Sequence, residues 1–244
     1  MSENNIYGRN AVMEAIKSGS PIEKIMIQKN IEGSGKKIFS MAKSAGLNVQ
    51  SVDKVVLDKV ASSGAHQGVV AIVSEFDYSS VEEILAKAAK KEKSPFVIVL
   101  DGIEDPHNLG AIIRSAEGAG VDGIIIPKNR AASVNGTVIK VSAGATAYMP
   151  VAKVSNIANT LSELKSNGIW AYGLDMDGTS YKETDYEGGG VALVIGSEGN
   201  GMSRIVKEAC DIIVSIPMYG QINSLNASNA AAIVMYEVAA GINK

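Results

Sequence analysis

At 244 residues, 46% of them hydrophobic, the chain can bury one large core or two modest ones. No run of 18 or more apolar residues is present, and Met1-Ser-Glu-Asn-Asn has neither the basic nor the apolar region of a signal peptide, so a cytoplasmic protein with no membrane contact is expected. A single cysteine, Cys210, excludes an internal disulfide, and two histidines, His66 and His107, do not form a zinc-ligand cluster, so no metal is expected.

The net charge of −3 is unevenly spread. Residues 1–75 hold 9 Lys and Arg against 7 Asp and Glu, residues 76–93 hold 4 against 4, and residues 94–244 hold 10 against 15. The excess of positive charge at the N-terminal end hints at a separate module that meets a polyanion. Strong sequence-independent duplex binding is disfavoured, because it needs many basic phosphate contacts in one patch.

In chain order, the apolar periodicity predicts a helix near Arg9–Lys17, a strand Lys24–Gln28, a helix near Lys36–Ala45, a strand near Leu47–Val52, a short helix near Lys54–Val60 and a strand Val69–Ser74. Residues 1–75 therefore read as a small α/β domain. Residues 76–94 read as a linker carrying a capped helix that ends before Pro95, and residues 95–244 as a second domain. This domain begins with Phe96–Leu100, an apolar run typical of a strand buried on both faces of a parallel sheet. Further strands are expected at Gly123–Ile126, Ile169–Leu174, Val191–Ile195 and Asp211–Ile216. An Ala-rich helix should span Ala227–Ala240, with Ala227, Ala230, Ala231, Val234 and Val238 on one face. Cys210 reads as a buried small hydrophobe.

Three segments carry polar residues just after buried strands. In Asp101–Ala116, Asn108 is a plausible helix N-cap, and Leu109, Ile112, Ile113 and Ala116 make the buried stripe. Arg114 lies off that stripe with Gly110 and Gly118 one turn to either side, which suits an anion clamp; pairing with Glu117 is the structural alternative. The second segment, Gly196-Ser-Glu198-Gly-Asn-Gly201, is a glycine-rich turn with an isolated carboxylate. It has the spacing of neither a dinucleotide fingerprint nor a Walker loop, and Gly33-Ser-Gly-Lys-Lys also fails the Walker spacing. The third, Ile216-Pro-Met through Ser224-Leu225-Asn226-Ala-Ser228, holds more polar residues than one N-cap requires, at a helix start whose backbone N–H groups suit a carboxylate or base edge. Three such turns meet at one edge of a parallel sheet, where α/β proteins bind ligands.

In this order, Asn-Leu-Gly-x-Ile-x-Arg, Gly-x-Glu-Gly-x-Gly and Ile-Pro-Met-x-Gly with Ser-Leu-Asn-x-Ser resemble the three motifs of the SpoU/TrmH family of RNA ribose 2′-O-methyltransferases, from about Phe96 to the C-terminus. The resemblance implies an α/β-knot catalytic domain with a trefoil-knotted, mostly parallel sheet, S-adenosylmethionine as methyl donor, and a homodimer that completes the active site. It implies cofactor contacts at Gly196, Ile216 and Leu225, and active-site positions at Asn108, Arg114, Glu198, Ser224 and Asn226. The N-terminal module, from Ile-Tyr-Gly-Arg-Asn-Ala-Val to Ala65-His66-Gln67-Gly68, resembles the ribosomal-protein-L30-like substrate-binding domain of the branch that modifies a guanosine of 23S rRNA. The alternatives are a tRNA ribose 2′-O-methyltransferase and a non-catalytic RNA-binding or ribosome-assembly factor.

Overall fold

In the first seventy residues short apolar runs alternate between the periods of strand and helix, and the chain folds accordingly. The structure, a computed structural model, describes residues 5–17, 19, 21–61, 66–73, 76–91 and 93–242. Two compact units result: one reaches Asp77 and includes Asn135–Lys140, and the other takes Tyr78–Val134 and the chain from Val141.

The first unit comprises β1 (Asn5–Tyr7), α1 (Arg9–Lys17), β2 (Ile22–Gln28), α2 (Ser34–Ser44), β3 (Val49–Val52), α3 (Lys54–Val60) and β4 (Val69–Val73). Its sheet runs β1-β4-β2-β3, with β2 and β3 parallel and β4 antiparallel to β1 and β2. Side chains on a strand alternate between faces, so β2 serves two cores. Ile25 and Ile27 pack with Val12, Ile38 and Val69. Met26 points the other way, to Leu57 and Val70. The three-residue β1 escaped the sequence reading because it is too short for a period. Ser74 and Ala65 lie outside the described residues.

His66-Gln67-Gly68 is a locked turn into β4. The buried His66 accepts the Gly68 N–H at Nδ1 (2.9 Å), which leaves its ring proton on Nε2, 2.9 Å from Asp58 Oδ1. Gln67 takes a positive φ of 49°, and its carbonyl accepts from Arg9 Nε at 3.1 Å.

The chain goes on to α4 (Val81–Ala88), β5 (Phe96–Asp101), α5 (Pro106–Gly118), β6 (Gly123–Pro127), α6 (Gly136–Val141, all but its last residue grouped with the first unit), β7 (Val151–Val154) and α7 (Ile157–Ser166). It continues with β8 (Ile169–Ser180), β9 (Gly190–Gly196), α8 (Arg204–Ala209), β10 (Ile212–Ser215) and α9 (Ala227–Ile242). The capping box expected before α4 is present, Ser80 and Glu83 each accepting the other's backbone N–H. Val81 and Ile84 of that helix pack on the sheet with Leu161 and Leu164 of α7 and Val206 of α8, against Val97, Val99 and Val194. By alternation Phe96, Ile98 and Leu100 face the opposite side, where α5 packs on α9 and α9 on β9. The sequence reading did not single out β7, and it stopped β8 at Leu174, where the apolar run gives way to Asp175.

The sheet order is β10-β8-β9-β5-β6-β7, and every neighbouring pair is parallel. From β5 the chain adds β6 and β7 on one side, then returns to build β9, β8 and β10 on the other. Such a reversal opens a crevice beyond the carboxyl ends of the central strands. Here those ends are Asp101 and Gly196, paired in register.

Asp122 anchors the start of β5. Its buried carboxylate accepts from Phe96 N at 2.9 Å and meets Lys91 Nζ at 2.5 Å. Asp122→Ala strands a buried amide and should destabilise the protein by about 2–3 kcal/mol, read as a lower urea midpoint. Asp122→Asn, which still accepts from Phe96, should lose less; equal losses would contradict this account.

Candidate active site

The first turn of α5 departs from the sequence reading. Asp105, not Asn108, is the N-cap: its Oδ1 accepts from His107 N at 2.9 Å, and Pro106 takes the first helical position, where no N–H is needed. Asn108 is instead buried within the first turn, its amide free for a tertiary role.

That role is filled by Asn226, 118 positions away in sequence, whose Nδ2 donates to Asn108 Oδ1 at 3.0 Å. The same Nδ2 donates to Glu198 Oε1. The carbonyl end of Asn226 faces α9, where its Oδ1 accepts from Ser228 N (3.0 Å), Asn229 N (3.3 Å) and Ser228 Oγ (2.6 Å). Donors on one side and acceptors on the other fix the orientation of this amide. The helix start expected to be open is therefore capped by Asn226 itself.

Glu198 sits in a tight turn closed by two 3.0 Å backbone hydrogen bonds between Ser197 and Gly201. Gly199 (φ 84°) and Gly201 (φ 64°) supply the left-handed backbone. Gly196 answers a different need: a Cβ there would stand 2.1 Å from the Gly201 carbonyl carbon, so the turn folds directly over it. Asp101 Oδ2 accepts from Ser203 N at 2.7 Å and ties the end of β5 to the exit of the turn.

Two cavities flank this turn. One, of about 620 Å³, is lined by Gly196, Ile216, Ser224, Leu225 and Asn226 among others. The second, of about 590 Å³, is lined by Asp101, Glu104, Asn108 and Arg130 among others. Ser197, Glu198, Asn200 and Gly201 form the wall common to both. Seven of the eight site residues read from sequence thus border one space or the other. The eighth, Arg114, is exposed on α5, lines neither cavity, and makes no hydrogen bond or ion pair among the described residues; the Glu117 pairing does not form.

The larger cavity fits the methyl donor that the resemblance implies. Its volume lies in the range of small-molecule sites. Leu174, Ile195, Ile216 and Met218 give it apolar walls suited to a purine. The segment Met218–Leu225 makes no hydrogen bond among the described residues, which leaves its backbone groups available to a ligand. Asp175 and Glu198 bring carboxylates for hydroxyl or ammonium donors.

Asp175 and Arg130 were missed in the sequence. The signal for Asp175 was an acidic residue directly after a buried strand; nothing around Arg130 marked it. Asp175 is held by Lys207 Nζ at 3.0 Å, and the hydrogen bonds that Lys207 donates to Asp177 and Asp175 push its ammonium above its usual pKa. Cys210 is half-buried rather than buried, and desolvation pushes its thiol up to about 12, which leaves it inert as a nucleophile. Among the described residues no group of His, Cys, Asp or Glu could hold a metal ion, and no helix is long and apolar enough to cross a membrane.

The two glycines of the turn should fail for different reasons. Gly199→Ala meets open space and costs only left-handed strain, on the order of 1 kcal/mol. Gly196→Ala collides with backbone and should cost at least about twice that, with the turn displaced. Thermal denaturation of the two variants checks the order; a more stable Gly196→Ala would contradict the packing.

The SpoU rRNA Methylase family profile matches residues 95–236, and the profile for RNA 2′-O ribose methyltransferase substrate binding matches residues 5–79. A Staphylococcus saprophyticus protein assigned to the TrmH family of tRNA/rRNA methyltransferases is 48% identical over 240 residues, covering 98% of this chain and 96% of that protein. YacO of Bacillus subtilis, assigned likewise, is 43% identical over 241 residues with the same coverage. In fold, the chain is similar to the SpoU methyltransferase AviRb from Streptomyces viridochromogenes, solved with AdoMet, at a TM-score of 0.64 and 23% identity, covering 97% of this chain and 89% of that one. On these matches, the chain belongs to the SpoU/TrmH family of RNA methyltransferases.

Proposed function

We propose that the protein transfers the methyl group of S-adenosylmethionine to the ribose 2′-hydroxyl of a guanosine in 23S rRNA. The observation that carries this reading is the meeting of Asn108, Glu198 and Asn226 at the wall between two cavities, beyond the carboxyl ends of β5 and β9. When bound, S-adenosylmethionine supplies a methyl carbon already activated by its sulfonium. The remaining difficulty is the nucleophile, since a ribose hydroxyl is scarcely ionised at neutral pH. The protein's task is to orient that oxygen and stabilise its developing charge.

In this reading Gly196, Ile216 and Leu225 hold the donor through backbone groups, and Ser224 lines the same space. Asn226 and Asn108 fix Glu198, which orients Arg114 or the RNA. Arg114 acts as a phosphate clamp that also stabilises the alkoxide. A guanidinium stays protonated in proteins, so it is a poor general base; the proton leaves through water or an RNA phosphate oxygen. The exposure of Arg114 and its lack of a partner among the described residues support a site completed by a second copy of the chain, in a homodimer with the family's knotted sheet. Residues 1–75 act as the L30-like domain that selects the RNA, residues 76–94 connect, and residues 95–244 do the chemistry. The match of residues 5–79 to a substrate-binding profile favours this division.

Labelled S-adenosylmethionine supplied with total RNA from a strain lacking the gene tests the proposal. Label should appear in 23S rRNA as a 2′-O-methylated guanosine. Label in tRNA would replace the ribosomal assignment, and no label would favour a non-catalytic factor. Arg114→Ala should abolish transfer, by at least about 100-fold, while S-adenosylmethionine binding by calorimetry survives. Normal turnover in that variant would overturn the role given to Arg114.

A further inference from the structure

Arg130 occupies a conformation that a side chain of its size seldom adopts. It lies in the loop after β6 with φ at 55°, in the left-handed region that favours glycine. The backbone is pinned on either side: Lys128 N donates to Val154 O at 2.8 Å, and Ala132 N donates to Ile103 O at 2.8 Å. Two fixed points four residues apart hold Arg130 at the apex between them. Strain of this kind persists where surrounding structure over-determines it, and it clusters at binding sites.

The side chain it presents is exposed and makes no hydrogen bond or ion pair among the described residues. It lines the second cavity, as Asn108 and Glu198 do. That cavity also holds the carboxylates of Asp101, Glu104 and Asp105. Asp101 accepts from Ser203 N and Asp105 from His107 N through one oxygen each, and none of these carboxylates pairs with Arg130 among the described residues. Glu198 already accepts from the neutral Asn226 amide, and such carboxylates suit ribose hydroxyls and base N–H groups. Arg130 is the cavity's single cation, placed for an anion that a nucleotide also carries.

We infer that the second cavity is the acceptor-nucleotide compartment and that Arg130 holds a phosphate of the RNA strand there. The inference rests on the ribose-methylation reading above. Arg130 touches substrate in this account but takes no part in the methyl transfer itself. The other anion within reach is the carboxylate of S-adenosylmethionine, and the test distinguishes the two.

Arg130→Gly and Arg130→Asn both suit the left-handed backbone, so each removes the cation without adding strain. Steady-state transfer to ribosomal RNA from a strain lacking the gene should show KM for RNA raised about 10- to 100-fold, as for one lost charge-assisted contact. The kcat should stay within about threefold, and the slope of log affinity against log salt should fall by about one unit or slightly less. S-adenosylmethionine affinity should not change, and the melting temperature should equal or exceed that of the wild type. Arg130→Lys should recover part of the KM. Unchanged KM for RNA and unchanged salt slope in both variants would overturn the inference, as would weakened S-adenosylmethionine binding with RNA affinity intact. A wild-type protein that methylates no RNA would instead overturn the functional reading beneath it.

Discussion

One side-chain amide connects what the chain keeps apart. Asn226 accepts the first N–H groups of α9 through its oxygen and donates through its nitrogen to Asn108 of α5 and to Glu198 of the turn after β9. Three segments from different strands thus converge on a group with a fixed direction. Neither an aspartate nor an alanine reproduces it: the carboxylate would bring a second anion to Glu198, and the methyl group would leave the helix uncapped and Asn108 without its donor. Asn226 itself is exposed, but Asn108 is buried, so leaving the Asn108 oxygen without its donor is costly.

The sheet makes that convergence possible. Because every pair of neighbours in the six-stranded sheet is parallel, the strands all end at the same edge, and the reversal of strand order at β5 leaves that edge open. Gly196 then lets the Glu198 turn lie flat over the end of β9, and Asp101 pins the turn's exit. The wall so formed separates an apolar space suited to a purine from a polar one suited to hydroxyls and phosphate. In-line methyl transfer sets the acceptor oxygen opposite the sulfonium sulfur across the methyl carbon, so donor and acceptor have to meet where the two spaces adjoin.

Much of this was legible in the residues. Continuous apolar runs marked β5 and β9, which are buried on both faces, and the 3.6-residue period marked α5 and α9. The three polar turns were found because their residues exceeded what turns and caps need. Cap identity was less legible: Asn108 and Asp105 are both good N-caps by type, and only Pro106 at the first helical position selects Asp105. Short strands such as β1 and β7 have too few residues to show a period. Arg130 lay beyond reach for another reason. Its character comes from a backbone angle imposed by hydrogen bonds to Val154 and Ile103, and neither partner is near it in sequence.

The central claim is that Glu198 and Asn226 act as one unit. A double-mutant cycle in single-turnover methyl transfer measures it directly, with Glu198→Ala and Asn226→Ser, a pair in which serine keeps an acceptor for the α9 cap but removes the two amide donors. If the two act together, the double variant will transfer methyl no more slowly, within about threefold, than the slower single variant. Losses that multiply, as those of independent residues do, would contradict the account.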